Sequence, residues 1–343
     1  MPDLFVNSFV LSDPCPELGE IRIYHPGYDD EEPLLRLLGC DDAAGGLWRM
    51  VAETACAIIS NNQFNGQLKN DGGEVMTQHI LPPGDYWWHL PDLKYAILAE
   101  FRLWRFPGSP PDAWRTRKQD DQPGNRCVLT GQKFGLQKAH IVPRGETEWF
   151  EMNRMGVLFS SDNRENSVDN IDNLLLLRTD LHQGLDQKLF AFFPKGDKMM
   201  LHCMGRNAAP WHNVYLKRDV CKEFLLARFA WTLYPICLAP WLKMKKARML
   251  WVDVNGALSV QEVGGEDCQL LAHSIRPRST SPKKRRTEDH PFTNPPNFTS
   301  SKRCSDYSFD SGLGTTDDDD SLEYQSFDGW DERRGRKRLR GDY

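Results

Sequence analysis

The sequence lacks the cysteine patterns that hold many small domains together. Its 343 residues include nine cysteines, but no two form a C-x-x-C pair and their spacing is irregular. Structural zinc ribbons need paired cysteines, and disulfide frameworks need a regular set, so the sequence argues against both. The cysteines are therefore expected to be reduced thiols, as in cytosolic or nuclear proteins.

An excess of positive charge and a secretion signal are also missing. The formal net charge is −5 at pH 7, so the whole molecule is not a polycation that binds nucleic acid by charge alone. Any surface for nucleic acid is expected to be a local patch. The amino terminus has no basic segment followed by an apolar run, so secretion is not expected.

The chain has no long apolar run free of interruptions. Its most apolar stretch, residues 224–242, contains Arg228 and is interrupted by Pro235 and Pro240. Because an arginine at bilayer depth is costly, we expect a core helix that ends near Tyr234. No membrane partner is predicted.

Three short segments carry candidate functional residues in a fixed order. His140 lies in AHIVP after a strand-like approach, which predicts a strand end, and Asn173 lies in DNIDNLLLL. His182 and Asp186, in DLHQGLD, are four positions apart. On a helix such residues share one face, with Cβ atoms about 5–6 Å apart. An imidazole and a carboxylate placed in this way can hold one cation.

At these residues the chain resembles the HNH endonucleases. RCVLTGQKFGLQKAHIVP is similar to the "C-x-x-T-G … A-H-I-x-P" opening of a subgroup common in fungi and in some restriction systems. NLLLLRTDLHQGLDQKLFAFFP resembles its "N-x-L-x-L … D-L-H-x-x-F-D" segment, with Leu185 where Phe is usual. The resemblance covers residues 118–243, including a downstream LLARFAW. It implies a ββα-metal fold, with a histidine ending a hairpin, an asparagine in the following loop and ligands on one short helix.

The resemblance also implies roles for the matching residues. The catalytic set would be His140, Asn173 and His182. His140 would be the general base that deprotonates the attacking water, which suits a side chain with an ordinary pKa of about 6.5. Asn173 would hold His140 in orientation. His182 and Asp186 would bind one divalent ion, with Mg²⁺ or Mn²⁺ expected and a transition ion as an alternative.

Two features depart from the family pattern. Many members have Asp or His immediately before the first histidine, as a further metal ligand, whereas this chain has Ala139. That ligand would come from elsewhere or from water. Asn173 follows His140 by 33 positions, which is longer than in compact members. The insert at residues 146–169 must therefore loop out or add a helix.

Simpler interpretations exist for individual residues. Asn173 could cap a turn before the LLLL run, since asparagine favours such positions. Asp186 could be an ordinary solvated helix residue. The remaining histidines belong to no comparable constellation and are interpreted as structural: His25, His79, His89, His202, His212, His273 and His290.

Local patterns predict three parts: an N-terminal mixed α/β region of unknown role (1–116), an HNH nuclease-like domain (117–255) and a mostly disordered tail (256–343). In the first part, GEIRIYH predicts a strand and LLRLL a helix. LWRMVAETACAIIS predicts a second helix, since apolar residues recur at helical spacing along one face. The residues of that face are Leu47, Val51, Ala55 and Ile58.

The middle part is predicted to begin with a hairpin over residues 126–141, with Cys127 as a small buried residue in its first strand. A short helix follows over residues 179–188, with Thr179 or Asp180 as its N-cap. LFAFF, a PKGD turn and MMLHCM then predict another hairpin. The core helix that is expected to end near Tyr234 is predicted to pack beneath the nuclease motif.

From about Ser279 onward the sequence has few aliphatic residues, which predicts disorder. Basic clusters at residues 283–286 and 333–340 flank an acidic run at 317–320. Such clusters indicate nuclear import or nucleic-acid contacts, or simply a solvated charge run without a receptor. The expected localisation is nuclear or cytoplasmic, with the clusters favouring the nucleus.

Together these features predict an α+β protein: a ββα-metal (HNH) module with a helical C-terminal extension, a small mixed N-terminal region and a disordered tail. The expected activity is metal-dependent hydrolysis of nucleic-acid phosphodiesters, with DNA as the favoured partner. One alternative is a catalytically inactive HNH-like scaffold that binds nucleic acid or protein. Another is a globular regulator whose motif similarity is incidental.

Overall fold

The computed structural model describes residues 18–29, 31–116, 124–161 and 164–274. Strands and helices are mixed along this part of the chain, as expected. Apolar side chains of the N-terminal region and of the nuclease-like part, such as Val51 and Leu177, belong to one hydrophobic core. The three-part division therefore stays a prediction. The tail from residue 275, including both basic clusters, lies outside the described residues.

The strands are β1 (Gly19–Tyr24), β2 (Leu35–Gly39), β3 (Leu47–Trp48), β4 (Gln67–Lys69), β5 (Ile80–Leu81), β6 (Gly84–His89), β7 (Ile97–Leu98), β8 (Leu136–His140), β9 (Leu174–Arg178), β10 (Phe190–Lys195), β11 (Lys198–Cys203), β12 (Arg248–Val254) and β13 (Ala257–Val263). The α-helices are α1 (Arg49–Ile59), α2 (Thr147–Met152), α3 (Met155–Phe159), α4 (Thr179–Asp186), α5 (Lys222–Cys237), α6 (Ala239–Leu242) and α7 (Gly265–Ser274). Short 3-10 segments lie at Phe101–Leu103, Asp112–Trp114, Arg144–Glu146, Ile171–Asn173 and Arg206–Trp211.

A sheet of order β2-β1-β6-β4 forms the N-terminal region. The strand predicted for GEIRIYH is confirmed as β1, but the helix predicted for LLRLL is wrong, because these residues enter β2. Leu35 and Leu37 are buried, whereas Arg36 between them bonds to Glu20 at 3.2 Å on the other face. This alternation has the period of a strand.

Helix α1 confirms the second helical prediction of this region. Val51, Ala55 and Ile58 are buried on it, while Leu47 lies just before the helix in β3. The Tyr234 hydroxyl of α5 donates to the carbonyl of Ile58 at 3.5 Å. The N-terminal region is thus packed directly on the helix that follows the nuclease motif.

The hairpin predicted over residues 126–141 is wrong. Strand β8 pairs antiparallel with β9, from Leu136 opposite Arg178 to His140 opposite Leu174. The segment before β8 makes a tight turn, in which Gly131 N–H donates to the Cys127 carbonyl at 2.8 Å. Cys127 is buried but lies outside any strand. The partner of β8 is the distant LLLL run, which a local turn signal does not reveal.

The insert between His140 and Asn173 adds two short helices, α2 and α3, as one of the expected outcomes. Its Trp149 is buried and donates to the Trp104 carbonyl at 2.6 Å. Phe150 packs against Phe224 of α5, with ring centroids 5.5 Å apart. The insert is therefore anchored on the N-terminal region and on α5.

Helix α4 follows β9 directly and ends at Asp186, slightly before the predicted end. The predicted N-cap is wrong: Arg178 occupies the cap position, and no side chain caps the helix. Thr179 instead donates its hydroxyl to the Gly135 carbonyl at 3.2 Å, at the start of β8. The β10–β11 hairpin is confirmed, with Phe190 opposite Cys203.

Helix α5 confirms the core-helix prediction, although it ends at Cys237 rather than near Tyr234. Within the described residues, Lys222–Leu242 is the one helical stretch long and apolar enough to cross a membrane, and 81% of it is buried inside the protein. The guanidinium of Arg228 donates to the carbonyl of Ile141 at 3.1 Å, which confirms that α5 packs beneath the motif.

Strand β12 pairs in parallel with β7 of the N-terminal region and antiparallel with β13. The predicted domain boundary at residue 255 therefore falls in the turn between two paired strands.

Candidate active site

The site is formed by two antiparallel strands and the helix that follows them. His140 is the last residue of β8 and lies opposite Leu174, the first residue of β9. Asn173 precedes Leu174, so its carbonyl accepts from the Ile141 N–H at 2.8 Å. The strand pairing thus brings His140 and Asn173 to one end of the hairpin, although 33 positions separate them.

The side chain of Asn173 is fully buried and holds the loop that leaves β8. Its Oδ1 accepts from the Val142 N–H at 2.8 Å. Its Nδ2 donates to the carbonyls of Val142 at 3.0 Å and Val168 at 2.7 Å. Asn173 therefore joins both ends of the insert, and its geometric link to His140 runs through the backbone.

The imidazole of His140 has a carboxylate partner that sequence analysis did not identify. His140 Nε2 lies 2.8 Å from Asp169 Oδ1, and Arg144 Nε donates to the same oxygen at 2.8 Å. The hydrogen bonds from Arg144 and His140 lower the pKa of Asp169 to about 2. An ionised carboxylate only accepts hydrogen bonds, so Nε2 carries a proton and Nδ1 is the free ring nitrogen.

Solvent reaches this part of the site. The side chains of His140 and Asp169 are 21% and 52% exposed. Asp169 also lines a surface cleft together with Glu165, Ser167, Asn170 and Ile171. The His140 side chain is therefore partly open to solvent, and its carboxylate partner faces the cleft.

His182 and Asp186 lie on one face of α4, as their spacing predicted. His182 Nε2 is 3.2 Å from Asp186 Oδ2, and the two side chains are 23% and 57% exposed. His182 Nδ1 lies 2.9 Å from Gln137 Oε1 on β8, a contact in which the ring nitrogen is the donor. Nε2 is then the nitrogen available to a metal ion.

The donor set of α4 suits a divalent cation. One imidazole nitrogen and one carboxylate oxygen face each other, and both keep a solvent-facing side, so water or phosphate oxygens can complete the coordination. Ala139, which has no donor atom, lies on the same face of β8 as Gln137 by strand alternation. Asp186 and His182 thus fit a divalent cation as an incomplete protein set.

One cation from α5 connects the two halves of the site. The Arg228 guanidinium lies 3.4 Å from the His140 carbonyl and 3.7 Å from Asp186 Oδ1. Arg228 is fully buried. The backbone carbonyl of His140 and the carboxylate of Asp186 therefore contact the same guanidinium.

A buried polar cluster, which no sequence pattern reveals, is formed by Asp41, Lys195, His202, His212 and Asn213. The Lys195 ammonium donates to Asp41 Oδ1 at 2.5 Å, to Asn213 Oδ1 at 2.7 Å and to His202 Nδ1 at 3.2 Å. His212 Nε2 lies 2.9 Å from Asp41 Oδ1. Burial raises the pKa of Asp41, but Lys195 and His212 outweigh it and hold that pKa well below its ordinary value.

Two donor groups in the described residues have the proximity that a metal site needs: Asp41 with His202 and His212, and Cys40 with Cys203 and His212. In the first group, the ammonium of Lys195 already contacts Asp41 and His202. In the second, Cys40 Sγ lies 2.9 Å from Cys203 Sγ and 3.1 Å from His212 Nδ1.

The second group supplies three donors, whereas tetrahedral zinc takes four. His212 Nδ1 also accepts the Cys203 N–H at 3.1 Å, so its lone pair has a partner. The hydrogen bond between the two sulfurs lowers the pKa of Cys203 and raises that of Cys40. The contact therefore fits a hydrogen bond between two sulfurs.

Comparison with known families adds one finding. Residues 127–192 match the HNH endonuclease family model HNH_2. This segment contains His140, Asn173, His182 and Asp186, and the match indicates a nuclease-type domain, whose family acts on nucleic acid with a divalent metal. No curated protein and no solved structure matches the chain. Arg228 and the N-terminal region lie outside the matched residues.

Proposed function

We propose that this protein is a metal-dependent HNH-type endonuclease that hydrolyses phosphodiester bonds, with DNA as its substrate. The observation that carries the proposal is the strand–strand–helix unit in the family-matched segment, with His140 at a strand end and His182 facing Asp186 at 3.2 Å on the helix. We assign this unit to the ββα-metal fold.

In the proposed reaction His140 is the general base. Because Nε2 is protonated and bonded to Asp169 at 2.8 Å, Nδ1 takes the proton of the attacking water. The Asp169 carboxylate then stabilises the imidazolium that forms, as an acidic partner orients a catalytic histidine in hydrolases. Arg144 donates to the same Asp169 oxygen that contacts the ring, and so helps to hold the carboxylate in place.

His182 Nε2 and Asp186 Oδ2 are the atoms that would hold the metal ion. When bound, a divalent ion polarises a phosphoryl oxygen and neutralises charge on the leaving oxygen. Gln137 accepts from His182 Nδ1 and so keeps the ring in the tautomer whose Nε2 carries no proton and can bind the ion. Asn173 has a positioning task in this scheme, since it closes the loop between His140 and Asp169.

A second candidate is a catalytically inactive scaffold that binds nucleic acid or protein. Ala139 favours it, because this position supplies no donor atom and the described site then offers two protein ligands. Such a scaffold would keep the strand pairing and the Asn173 contacts, which depend on packing rather than on metal.

The test is cleavage of supercoiled plasmid by the purified full chain with Mg²⁺ or Mn²⁺. The endonuclease nicks the plasmid only with a divalent ion, and His140→Ala abolishes nicking while its circular dichroism spectrum is unchanged. Metal-independent DNA binding without nicking by the unaltered protein would instead establish the scaffold.

We also propose nuclear localisation from the basic clusters at residues 283–286 and 333–340. A fluorescent fusion should enter the nucleus, and replacing both clusters with alanine should leave it in the cytoplasm. Equal distribution of the two fusions would contradict nuclear import.

A further inference from the structure

Arg228 is a charged side chain in an unexpected place. It lies on α5, outside the family-matched residues, and is 0% exposed. A buried charge is costly, and hydrophobic replacements of buried ionic groups are often neutral or stabilising. Its Nε has no hydrogen-bond partner among the described residues. Stability alone therefore gives little reason for an arginine here.

The contacts of Arg228 divide between the two halves of the candidate site. Nη1 reaches the carbonyls of His140 at 3.4 Å and Ile141 at 3.1 Å, where β8 ends. Nη2 donates to the Leu185 carbonyl in the last turn of α4 and lies 3.7 Å from Asp186 Oδ1. One rigid, planar group thus spans the strand end and the helix end.

The arrangement also sets the direction of the Asp186 carboxylate. Oδ1 lies toward Arg228, while Oδ2 lies 3.2 Å from His182 Nε2. The indole of Trp231 covers the guanidinium at 4.5 Å. Burial lowers the pKa of Arg228 to about 10, which leaves it charged at neutral pH.

We propose that Arg228 is a positioning residue that holds the base His140 and the His182–Asp186 metal pair at a fixed separation. This inference rests on the proposed nuclease function. It gives the C-terminal extension a positioning role in the reaction, because neither half of the site contains a side chain that makes both sets of contacts. Arg228 is buried and reaches no substrate, so its effect is on metal binding and turnover.

The discriminating variant is Arg228→Lys, which keeps the charge but replaces a planar fork with a single ammonium. Turnover should fall about 10–100-fold, as when partners that orient metal ligands are removed. The Kd for Mn²⁺ should rise by about the same order, while KM for an oligonucleotide stays nearly unchanged. Mn²⁺ binding is measured without substrate, from the loss of the free-ion electron paramagnetic resonance signal.

Arg248→Lys is the matched control. Arg248 is also 0% exposed and lies over the Trp241 ring at 4.1 Å, but on β12. It should lower the melting temperature and leave kcat and the Mn²⁺ Kd unchanged. Circular dichroism checks that each variant is folded, and Arg228→Gln replaces Arg228→Lys if the latter is not.

A double-variant cycle with Asp186→Asn gives a readout that general destabilisation does not move. If Arg228 acts through Asp186, adding Arg228→Lys to Asp186→Asn should weaken Mn²⁺ binding no further, whereas independent effects multiply. The inference is overturned if Arg228→Lys keeps the kcat and Mn²⁺ Kd of the unaltered protein, or loses only as much as Arg248→Lys.

The outcomes also separate the two proposals. If the unaltered protein neither binds Mn²⁺ nor cleaves, the proposed function fails and the role of Arg228 fails with it. If the unaltered protein does both and Arg228→Lys does so equally well, the nuclease stands and only the positioning role is lost.

Discussion

Two histidine–carboxylate pairs with similar distances lie in very different surroundings. His140 and Asp169 are 2.8 Å apart, with side chains 21% and 52% exposed. His212 and Asp41 are 2.9 Å apart, with side chains 6% and 0% exposed. Distance alone therefore does not distinguish a candidate active site from a structural contact.

The difference lies in the atoms that remain free. In the buried polar cluster, Asp41 accepts from Lys195, His212 and Asn213 within the core. At the candidate site, one His140 ring nitrogen is engaged and the carboxylates keep a solvent-facing side. A group can act on a ligand only where polar atoms still need partners, so the exposed pair is the candidate for function and the buried pair is the candidate for a structural contact.

The largest expected effect is the loss of activity in His140→Ala. Removing a general base costs about 10²–10⁴-fold in rate, and a partly exposed side chain contributes little to stability. Steady-state cleavage of an oligonucleotide measures the rate, and thermal melting measures the fold. The control is His79→Ala, which changes an exposed histidine outside the site and should cleave normally. Equal activity in the two variants would contradict the role of His140 as the base.

Metal removal and metal-binding measurements should also distinguish the candidate site from the buried polar cluster. A chelator should stop cleavage by the unaltered protein, and added Mn²⁺ should restore it. In His182→Ala, the Mn²⁺ Kd should rise at least about 10-fold, because the imidazole ligand is gone. His202→Ala, in the buried polar cluster, should leave the Mn²⁺ affinity of the folded protein unchanged. If His202→Ala raised the Mn²⁺ Kd more than His182→Ala did, the metal would lie in the core.

Lys195→Met should destabilise the protein rather than inactivate it. Removing one partner of a buried ion pair leaves the other charge uncompensated, which costs about 3–5 kcal/mol. Urea denaturation measures the free energy of unfolding, and kcat of the folded fraction should stay unchanged. An unaltered unfolding free energy would show that the cluster does not stabilise the fold.

Low pH should destabilise the folded protein through Asp41. Its pKa is held well below the ordinary value in the folded protein, so the unfolded state binds more protons as the pH falls. The stabilisation is fully present above the unfolded pKa of about 3.9 and is lost as the pH falls towards the folded value. Melting temperatures from pH 7 to pH 3 should fall steeply at the acidic end, and less so in Asp41→Asn, which has already lost this contribution.

Among the variants of the candidate site, Asp169→Asn is expected to lose the least activity. The amide can still contact His140 but no longer stabilises an imidazolium, so kcat should fall about 10-fold, at the low end for partners that orient a functional histidine. KM should stay nearly constant. A loss as large as that of His140→Ala would show that Asp169 has a more direct role than orientation.

Local spacing predicted part of the geometry of the candidate site. His182 and Asp186 face each other because residues four apart share one side of a helix, and the apolar stripe of α1 follows from the same rule. The strand alternation in LLRLL was misjudged as helical, since a five-residue apolar segment fits both periods. The hairpin before His140 was misplaced because β8 pairs with a strand beyond the insert.

Long-range polar contacts were the other part that the sequence did not reveal. Asp169 reaches His140 across a loop, and His212 lies 171 positions from Asp41. Arg228 appeared only as an interruption of an apolar helix. Each of these contacts depends on how distant elements pack, which neither helical nor strand periodicity encodes.

Nicking of supercoiled plasmid, measured side by side for the unaltered protein and His140→Ala with and without Mn²⁺, tests the central claim most directly. The account predicts open-circular product only for the unaltered protein with Mn²⁺. Product in the absence of metal, or equal product from His140→Ala, would contradict it.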